Sequence, residues 1–278
     1  MNPAHKSTYG MKIEKLYFHQ KPLEKIQYAR WALVGTGLGL TLWAIASYGG
    51  IISPLFLPTP SAVISATGTL FKEFNLFTDI WASIGRILIG FGLAVAVAVP
   101  LGVYLALHKI GEAAIEPVLS FIRYIPPSAL LPLFLLWFGI GELSKILLVC
   151  FGVMPYIAFM VYDVVAGTKL ELMDAAYSLG ASNREVIWKV IAPLSLPGIW
   201  DVLRINIGAA WTFVVLAEII AATTGLGHLI VTSQRFVQTA NVIAAIVIIG
   251  ILGAATDLFF KITYKLFFPW TEKSHAQQ

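Results

Sequence analysis

Charged side chains are scarce in this sequence. Only 12% of its 278 residues are Asp, Glu, Lys or Arg, whereas 58% are hydrophobic. A water-soluble domain has roughly 25% charged residues, so the composition excludes such a domain and is typical of a polytopic membrane protein. The net charge of +4 is spread thinly over the ends and loops. Basic residues in such places orient a protein in the lipid bilayer, and this explains the charge better than a nucleic-acid partner does.

Cysteine and clustered histidine are also missing. The single cysteine, Cys150, lies within an apolar run, which excludes a disulfide framework and a cysteine-based metal site. The five histidines are scattered without the spacing of metal ligands. We therefore expect neither a metal site nor a cofactor in this chain.

Motifs of nucleotide-binding and hydrolytic enzymes are absent as well. No G-x-x-x-x-G-K-[ST] loop occurs, so the chain is not expected to bind ATP in the usual way. The string GTGLG at 35–39 lacks the third glycine and the preceding strand of a dinucleotide site. Glu218 and Asp257, isolated in apolar runs, make a weak case for an intramembrane enzyme. We predict a protein without catalytic residues.

Long apolar runs predict an all-α protein with about six transmembrane helices. The third run is broken by two prolines at 126–127, and the fifth begins near Leu196. The other runs lie at about 31–49, 87–107, 145–165 and 242–260. Basic residues concentrate at the N-terminus, at 108–123, at 169–189 and at the C-terminus. By the positive-inside tendency, both termini and the loop after the fourth span are predicted to be cytoplasmic.

That loop is polar, and its sequence predicts two short helices separated by a glycine. Thr168 with Glu171, and Ser182 with Glu185, match the spacing of capping boxes. Gly180 stands where the first helix is predicted to end. The first helix carries a small apolar face with helical spacing, formed by Leu172, Ala175, Ala176 and Leu179. Such a face suits docking into a cleft.

The loop also resembles the EAA loop of ABC-importer permeases, through the triplet DAA at 174–176, Gly180 and Pro193. It departs from the commonest form by having Asp174 for Glu, Val190 for Ile and Ala192 for Leu. In that family the loop docks onto the ATP-binding subunit. The ATPase-coupling residues that the resemblance implies are Glu171, Met173, Asp174, Ala175, Ala176, Tyr177, Ser178, Leu179, Gly180 and Ala181.

The resemblance implies the type I ABC-importer permease fold. It further implies a second copy of this chain, two ABC ATPase subunits that hold ATP and Mg, and an extracytoplasmic substrate-binding protein. The expected organisation is a basic cytoplasmic segment at 1–29, a transmembrane permease domain at 30–268 with its coupling loop at 168–193, and a tail at 269–278. The expected location is the plasma (cell inner) membrane.

Two other strings are similar to the nitrate, sulfonate, taurine and bicarbonate branch of these permeases. They are LPTPSAV at 57–63 and IRYIPPSALLPLFLLWFGIGELSK at 122–145. The similarity is greatest to nitrate permeases, with bicarbonate second and sulfonate or taurine third. The expectation is thus a nitrate or nitrite importer, with bicarbonate, sulfonate and taurine importers as alternatives.

An anion that crosses the membrane needs cationic or hydrogen-bond-donating partners. The candidate pathway residues are Arg123, Tyr124, Pro126, Ser128, Arg204, Trp211, Thr212 and Glu218. For Arg204 a simple anchor at the helix end is the favoured interpretation, and for Glu218 a structural ion pair or gate latch.

Two functions from other classes remain open at this point. One is a membrane scaffold or energy-coupling module that binds its ligand within the bilayer, and the other is a passive anion channel. Moving a monovalent anion into a cell with an inside-negative potential costs about 2.3 kcal/mol per 100 mV. Through an open pore, the anion would therefore flow out of the cell. An ATP-coupled gate avoids this loss.

Overall fold

The computed structural model describes residues 25–271, so most of the predicted basic segment and of the predicted tail lies outside it. Within that range the chain is helical and contains no strand. The α-helices are α1 Lys25–Tyr48, α2 Pro60–Glu73, α3 Leu76–Leu107, α4 Lys109–Arg123, α5 Pro127–Phe138, α6 Glu142–Ala166, α7 Leu170–Ser178, α8 Asn183–Val186, α9 Ala192–Ala221, α10 Leu226–Arg235 and α11 Thr239–Phe267. A π-helix, Ile187–Ile191, joins α8 to α9.

Five helical stretches are long and apolar enough to cross a membrane. They are α1, α3, α6, the continuous stretch from α8 to the end of α9, and α11. The pair α4 and α5 makes a sixth if it is one broken span. This count confirms the predicted all-α fold with about six spans.

The break between α4 and α5 lies at the predicted pair of prolines. The two helices meet at 95°, and Pro127 opens α5. Because proline has no N–H and restricts the residue before it, the chain leaves the helical path here and restarts. The bend separates an amphipathic helix, α4, from an apolar one, α5.

The chain divides into two compact units, one up to Pro60 and one from Ser61. In the first unit α1 is apolar on all sides, and nearly all of its described side chains are exposed. A helix of this kind is suited to a lipid environment. Its indole Trp43 Nε1 donates a hydrogen bond of 3.0 Å to the carbonyl of Pro58, which ties the following loop back to the helix.

The core of the second unit is α6, which packs along α3 on one side and α9 on the other. Helices α3 and α6 run parallel and approach closely at two glycines. A Cβ on Gly90 would lie 2.8 Å from Val149 Cβ, and one on Gly102 would lie 2.8 Å from Val161 Cβ. Small residues at these positions permit the backbones to come together, as is usual between membrane helices.

Helix α3 begins earlier than the sequence predicts. The predicted span starts at Ile87, after the charge of Arg86, whereas the helix starts at Leu76 and is 32 residues long. Arg86 is only 3% exposed and lies inside the helix. The prediction of this boundary was wrong because the guanidinium is neutralised by carboxylates from other helices, which sequence spacing does not reveal.

Candidate functional site

The polar loop after α6 folds into a compact hairpin, formed by α7, Gly180 and α8. Gly180 has φ +86°, in the left-handed region that favours glycine. Its N–H bonds to Tyr177 O at 2.9 Å, and the Ala181 N–H bonds to Ala176 O at 3.0 Å. These two bonds form a Schellman motif, which satisfies the last carbonyls of α7. The predicted helix end at Gly180 is therefore confirmed.

One of the two predicted capping boxes is present. Ser182 Oγ accepts from the Glu185 N–H at 3.4 Å, and Glu185 Oε2 accepts from the Ser182 N–H at 3.0 Å. The predicted box of Thr168 with Glu171 was wrong, since α7 begins after Lys169 and has no side-chain cap. Thr168 Oγ1 instead lies 3.4 Å from Ser195 Oγ at the start of α9. The hydroxyl thus contacts the next span in place of capping α7.

Helix α7 is exposed along its whole length. None of its residues is buried, and Leu179 is 89% exposed. The implied coupling residues therefore lie at the surface: Glu171, Asp174, Ala175, Tyr177, Ser178, Leu179 and Gly180 are exposed, and Met173, Ala176 and Ala181 are half-buried. An exposed helix that carries large apolar side chains beside acids is typical of an interaction surface.

The small apolar face of α7 borders a hollow formed with other parts of this chain. Leu172, Ala175, Ala176 and Leu179 line one side of an open hollow of roughly 670 Å³, whose other side is lined by Lys189, Val190, Pro193, Leu194 and Trp270. The face predicted to enter a foreign cleft thus already borders a cleft of this chain. The side of α7 that carries Leu170, Asp174 and Tyr177 is left outside this hollow.

The hairpin is joined to α9 without a break. The π-helix Ile187–Ile191 precedes Pro193, which has no N–H to donate to the carbonyl of Lys189. A wider turn at this point keeps the chain helical, as π-helical turns in other helices do. As a result, residues 183–221 form one helical stretch of 39 residues.

At the opposite end of the second unit, α3, α6 and α9 meet in a buried polar cluster around Arg86. Arg86 Nη1 lies 2.7 Å from Glu218 Oε1, and Arg86 Nε lies 2.7 Å from Glu142 Oε2. Glu218 has no exposed surface. It also accepts from Ser83 Oγ at 2.8 Å and from the Gly227 N–H at 2.9 Å. The carboxylate is thus fully satisfied, as a buried charge must be.

The loop before α10 is drawn into the same cluster. Arg86 Nη1 donates to Thr224 O at 2.7 Å, and the Gly225 N–H donates to Asp79 Oδ1 at 2.7 Å. Gly225 has φ +116°, and a Cβ there would collide with the Glu218 carboxylate and the Arg86 guanidinium. Only glycine allows this close approach of the loop. The cluster therefore ties α10 to the ends of three spanning helices.

The predicted pathway residues do not share one surface. Tyr124, Pro126, Ser128 and Thr212 are exposed, Arg123 and Arg204 are half-buried, and Trp211 and Glu218 are buried. Glu218 forms the ion pair that the sequence favoured for it. Trp211 Nε1 donates to Thr256 Oγ1 on α11 at 3.3 Å. Arg123, Tyr124, Pro126 and Ser128 are brought together at the bend between α4 and α5.

Arg204 also pairs with acids. Its guanidinium lies 3.6 Å from Asp201 Oδ1 and 3.7 Å from Asp257 Oδ1 on α11, and Asp257 in turn lies 2.6 Å from Lys261 Nζ. These ion pairs link α9 to α11, and the interpretation of Arg204 as an anchor at the helix end stays a prediction.

Sequence reasoning missed the cluster around Arg86. Arg86 was interpreted as the end of a span, and Ser83, Glu142 and Thr224 were not singled out. The available signal was two opposite charges, Arg86 at the start of one apolar run and Glu218 within another. Ionisable residues inside a bilayer usually pair with one another.

Comparison with known proteins identifies the family. Residues 98–273 match the model of the binding-protein-dependent transport system inner membrane component. The chain belongs to this family. It is therefore a multi-pass inner-membrane protein and the non-catalytic permease subunit of an ABC importer, as the resemblance implied. Among the described residues no group of three or more His, Cys, Asp and Glu could hold a metal ion.

Several relatives of this permease are named for sulfonates. The taurine transport system permease TauC of Escherichia coli (strain K12) is 36% identical over 236 residues, which cover 83% of this chain and 86% of the relative. The protein named as the aliphatic sulfonates transport permease SsuC of Bacillus subtilis (strain 168) is 31% identical over 231 residues, 83% of this chain and 84% of the relative.

Solved structures show the same fold. A chain of the inward-facing MetNI methionine ABC transporter matches with a TM-score of 0.63 at 19% identity, over 70% of this permease and 98% of that chain. A chain of an amino acid ABC transporter crystallised with histidines matches with a TM-score of 0.56 at 18% identity, over 72% and 95%. The predicted type I importer fold is confirmed.

Proposed function

We propose that this permease forms the membrane pathway of an ATP-driven importer of organic sulfonates, with taurine as a representative substrate. The observation that carries the proposal is the identity of 36% to a taurine permease and 31% to a protein named for aliphatic sulfonates, each over most of both chains. These relatives favour the sulfonate and taurine alternative over the nitrate expectation from the sequence.

The proposed assembly contains two copies of the permease, two ABC ATPase subunits and an extracytoplasmic sulfonate-binding protein. The family is defined as binding-protein-dependent, which supports the delivery protein. The permease itself lacks a phosphate-binding loop, which supports ATP and Mg being held by separate subunits. Two copies would enclose a pathway between them, and the exposed bend of α4 and α5 is available for such a surface.

We place the coupling hairpin and both termini in the cytoplasm. The basic residues at 108–123 and 169–189 lie on the hairpin's side of the second unit, which agrees with the positive-inside tendency. Helix α7 has no buried residue, so it is accessible to an ATPase there. In this arrangement, ATP binding draws the hairpins together and α9 carries the movement into the membrane.

Uptake by the purified complex tests the substrate. The permease is reconstituted in liposomes together with its ATPase and binding-protein partners, and uptake of taurine, ethanesulfonate, nitrate and bicarbonate is measured with ATP. We expect ATP-dependent uptake of the two sulfonates. A matched complex with an inactive ATPase should take up neither, because the permease alone has no energy source.

Three outcomes would contradict the proposal. Uptake of nitrate or bicarbonate without uptake of either sulfonate would assign the permease to another branch of the family. Equal sulfonate uptake with the inactive ATPase would indicate a passive channel. Uptake that is independent of the binding protein would indicate an energy-coupling module.

A further inference from the structure

We propose that Arg123, at the bend between α4 and α5, is the anion-binding group that receives the sulfonate inside the membrane. This inference rests on the proposed function. Arg123 is the last residue of α4 and precedes the prolines of the bend. The exposed side chains of Tyr124 and Ser128 lie on either side of those prolines, and Tyr124 is 77% exposed.

Arg123 packs against the spanning helix α6. Its guanidinium carbon is 4.5 Å from the ring centre of Phe159 in α6, and its carbonyl accepts from the Tyr156 hydroxyl at 3.0 Å. Phe159 lies seven residues before the end of α6, which corresponds to about 10 Å along that helix. If α6 spans the bilayer as its length and composition indicate, a cation beside this part of it is a candidate for function.

The charge of Arg123 is not neutralised within the described chain. Arg86 contacts two carboxylates, and so does Arg204. Among residues 25–271, by contrast, no carboxylate lies within 4.0 Å of the Arg123 guanidinium. Its contacts are the aromatic faces of Phe159 and of Tyr124, the latter at 5.5 Å. These faces hold a guanidinium in place and leave its N–H donors available for a ligand.

This environment suits a sulfonate in particular. A sulfonate is a strong acid's anion, so it cannot shed its charge by taking up a proton when it enters a region of low dielectric. It needs a partner that keeps a positive charge throughout, and the guanidinium does so at all physiological pH values. The planar N–H donors of arginine also match the oxygens of a tetrahedral anion.

The structure thereby separates the two arginines among the candidate pathway residues. Arg204 is held by Asp201 and Asp257, so an anion would have to compete with two carboxylates for it. Arg123 offers its charge without such competition. In the proposed assembly each copy contributes one Arg123, and the delivered sulfonate passes between the two bends.

The test compares Arg123→Gln and Arg123→Lys in the reconstituted complex. We expect Arg123→Gln to lower ATP-dependent uptake of taurine and ethanesulfonate about tenfold or more, the effect of losing a charge-assisted hydrogen bond. Arg123→Lys keeps the charge but loses the planar donors, so it should retain more uptake than Arg123→Gln and less than the unsubstituted permease. Arg30→Gln, which removes an exposed charge from α1, serves as the matched control and should transport normally.

Co-purification of the ATPase distinguishes a binding defect from misfolding, and Arg123→Gln should co-purify with the ATPase as the unsubstituted permease does. Uptake at the wild-type rate by Arg123→Gln would overturn the assignment of Arg123 alone. Failure of the wild-type complex to take up either sulfonate would overturn the proposed function.

A second design does not depend on the stability of Arg123→Gln. Because Cys150 is the only cysteine, the double variant Cys150→Ser with Arg123→Cys has a single reactive thiol. An aminoethyl thiosulfonate reagent, which adds a positive charge, should restore taurine uptake, whereas a sulfonatoethyl reagent, which adds a negative charge, should not. Equal recovery with both reagents would show that Arg123 only fills space, and would overturn the proposal.

Discussion

A buried carboxylate inside a membrane protein needs compensation from its neighbours, and Glu218 obtains it from one arginine, one serine and a backbone N–H. Arg86 in turn has a second acid, Glu142, which is itself held by Lys145 Nζ at 2.7 Å. Each member of the cluster therefore depends on the others. Removing one member leaves a buried charge unpaired. The resulting loss of folding free energy is larger than the net contribution of the lost contact.

At this scale we predict that Arg86→Gln lowers the free energy of unfolding by about 3–5 kcal/mol, because Glu218 loses its cation while remaining buried. Unfolding of the detergent-solubilised permease by denaturant, followed by tryptophan fluorescence, measures the change. Lys189→Ala is the control. It breaks an exposed pair with Glu185 of 2.9 Å and should change stability by about 1 kcal/mol or less.

The double variant Arg86→Gln with Glu218→Gln separates charge from packing. It removes both buried charges and should be more stable than Arg86→Gln alone. If instead the double variant is less stable than Arg86→Gln, packing and not charge would explain the importance of the cluster.

Among the elements, the hairpin of α7 and α8 shows how much local sequence determines. The glycine at the end of α7 and the Ser182–Glu185 capping box follow from residue chemistry alone, because both motifs are made within a few residues. The direction of the α7 apolar face does not. Ala175 and Ala176 look into a hollow whose other wall includes Trp270, almost a hundred residues away in the chain. No local pattern specifies that partner.

Contacts with distant residues also explain why α3 begins earlier than predicted and why the predicted Thr168–Glu171 capping box does not form. In both cases a contact from a distant helix changes the local preference: Glu142 and Glu218 neutralise Arg86, and Ser195 lies beside the Thr168 hydroxyl. The number of spans and the break at the two prolines were predictable, because hydrophobic length and proline chemistry act locally. The pairing of charges between spans was not.

For the hairpin we predict that Gly180→Val impairs coupling whereas Gly180→Asn is tolerated. The φ of +86° at this position is strained for a β-branched residue, while asparagine adopts the left-handed region more readily. A Cβ itself meets nothing within 4 Å, so backbone conformation is the only obstacle. Valine should therefore displace α7 without disturbing the membrane core.

Substrate-stimulated ATP hydrolysis by the assembled complex measures this effect. We expect Gly180→Val to lose most of the stimulation at unchanged thermal stability of the isolated permease. If valine and asparagine behave alike, the left-handed turn is not needed for coupling. Gly208→Ala in α9, which also has open space around its Cβ position, controls for a general effect of replacing glycine.

Over the whole molecule, the stretch from α8 to the end of α9 connects the two regions described above. Its first turn belongs to the coupling hairpin, and Glu218 near its other end belongs to the polar cluster. A continuous helix transmits a displacement along its axis or a tilt from one end to the other. In the proposed transporter, movement of the hairpin by the ATPases would therefore displace Glu218 and the cluster around Arg86. That cluster holds α10 at the opposite end of the second unit.

This mechanism requires the two ends to face opposite sides of the membrane, which labelling of single cysteines tests. In a Cys150→Ser background, Ser178→Cys places a thiol on exposed α7, and Gln234→Cys places one at the exposed C-terminal end of α10. We expect a membrane-impermeant maleimide to label Gln234→Cys in whole spheroplasts, and Ser178→Cys only in inside-out vesicles. The unsubstituted Cys150→Ser protein should not be labelled in either preparation. Labelling of Ser178→Cys from outside would place the hairpin away from any cytoplasmic ATPase, and coupling through α7 would then be impossible.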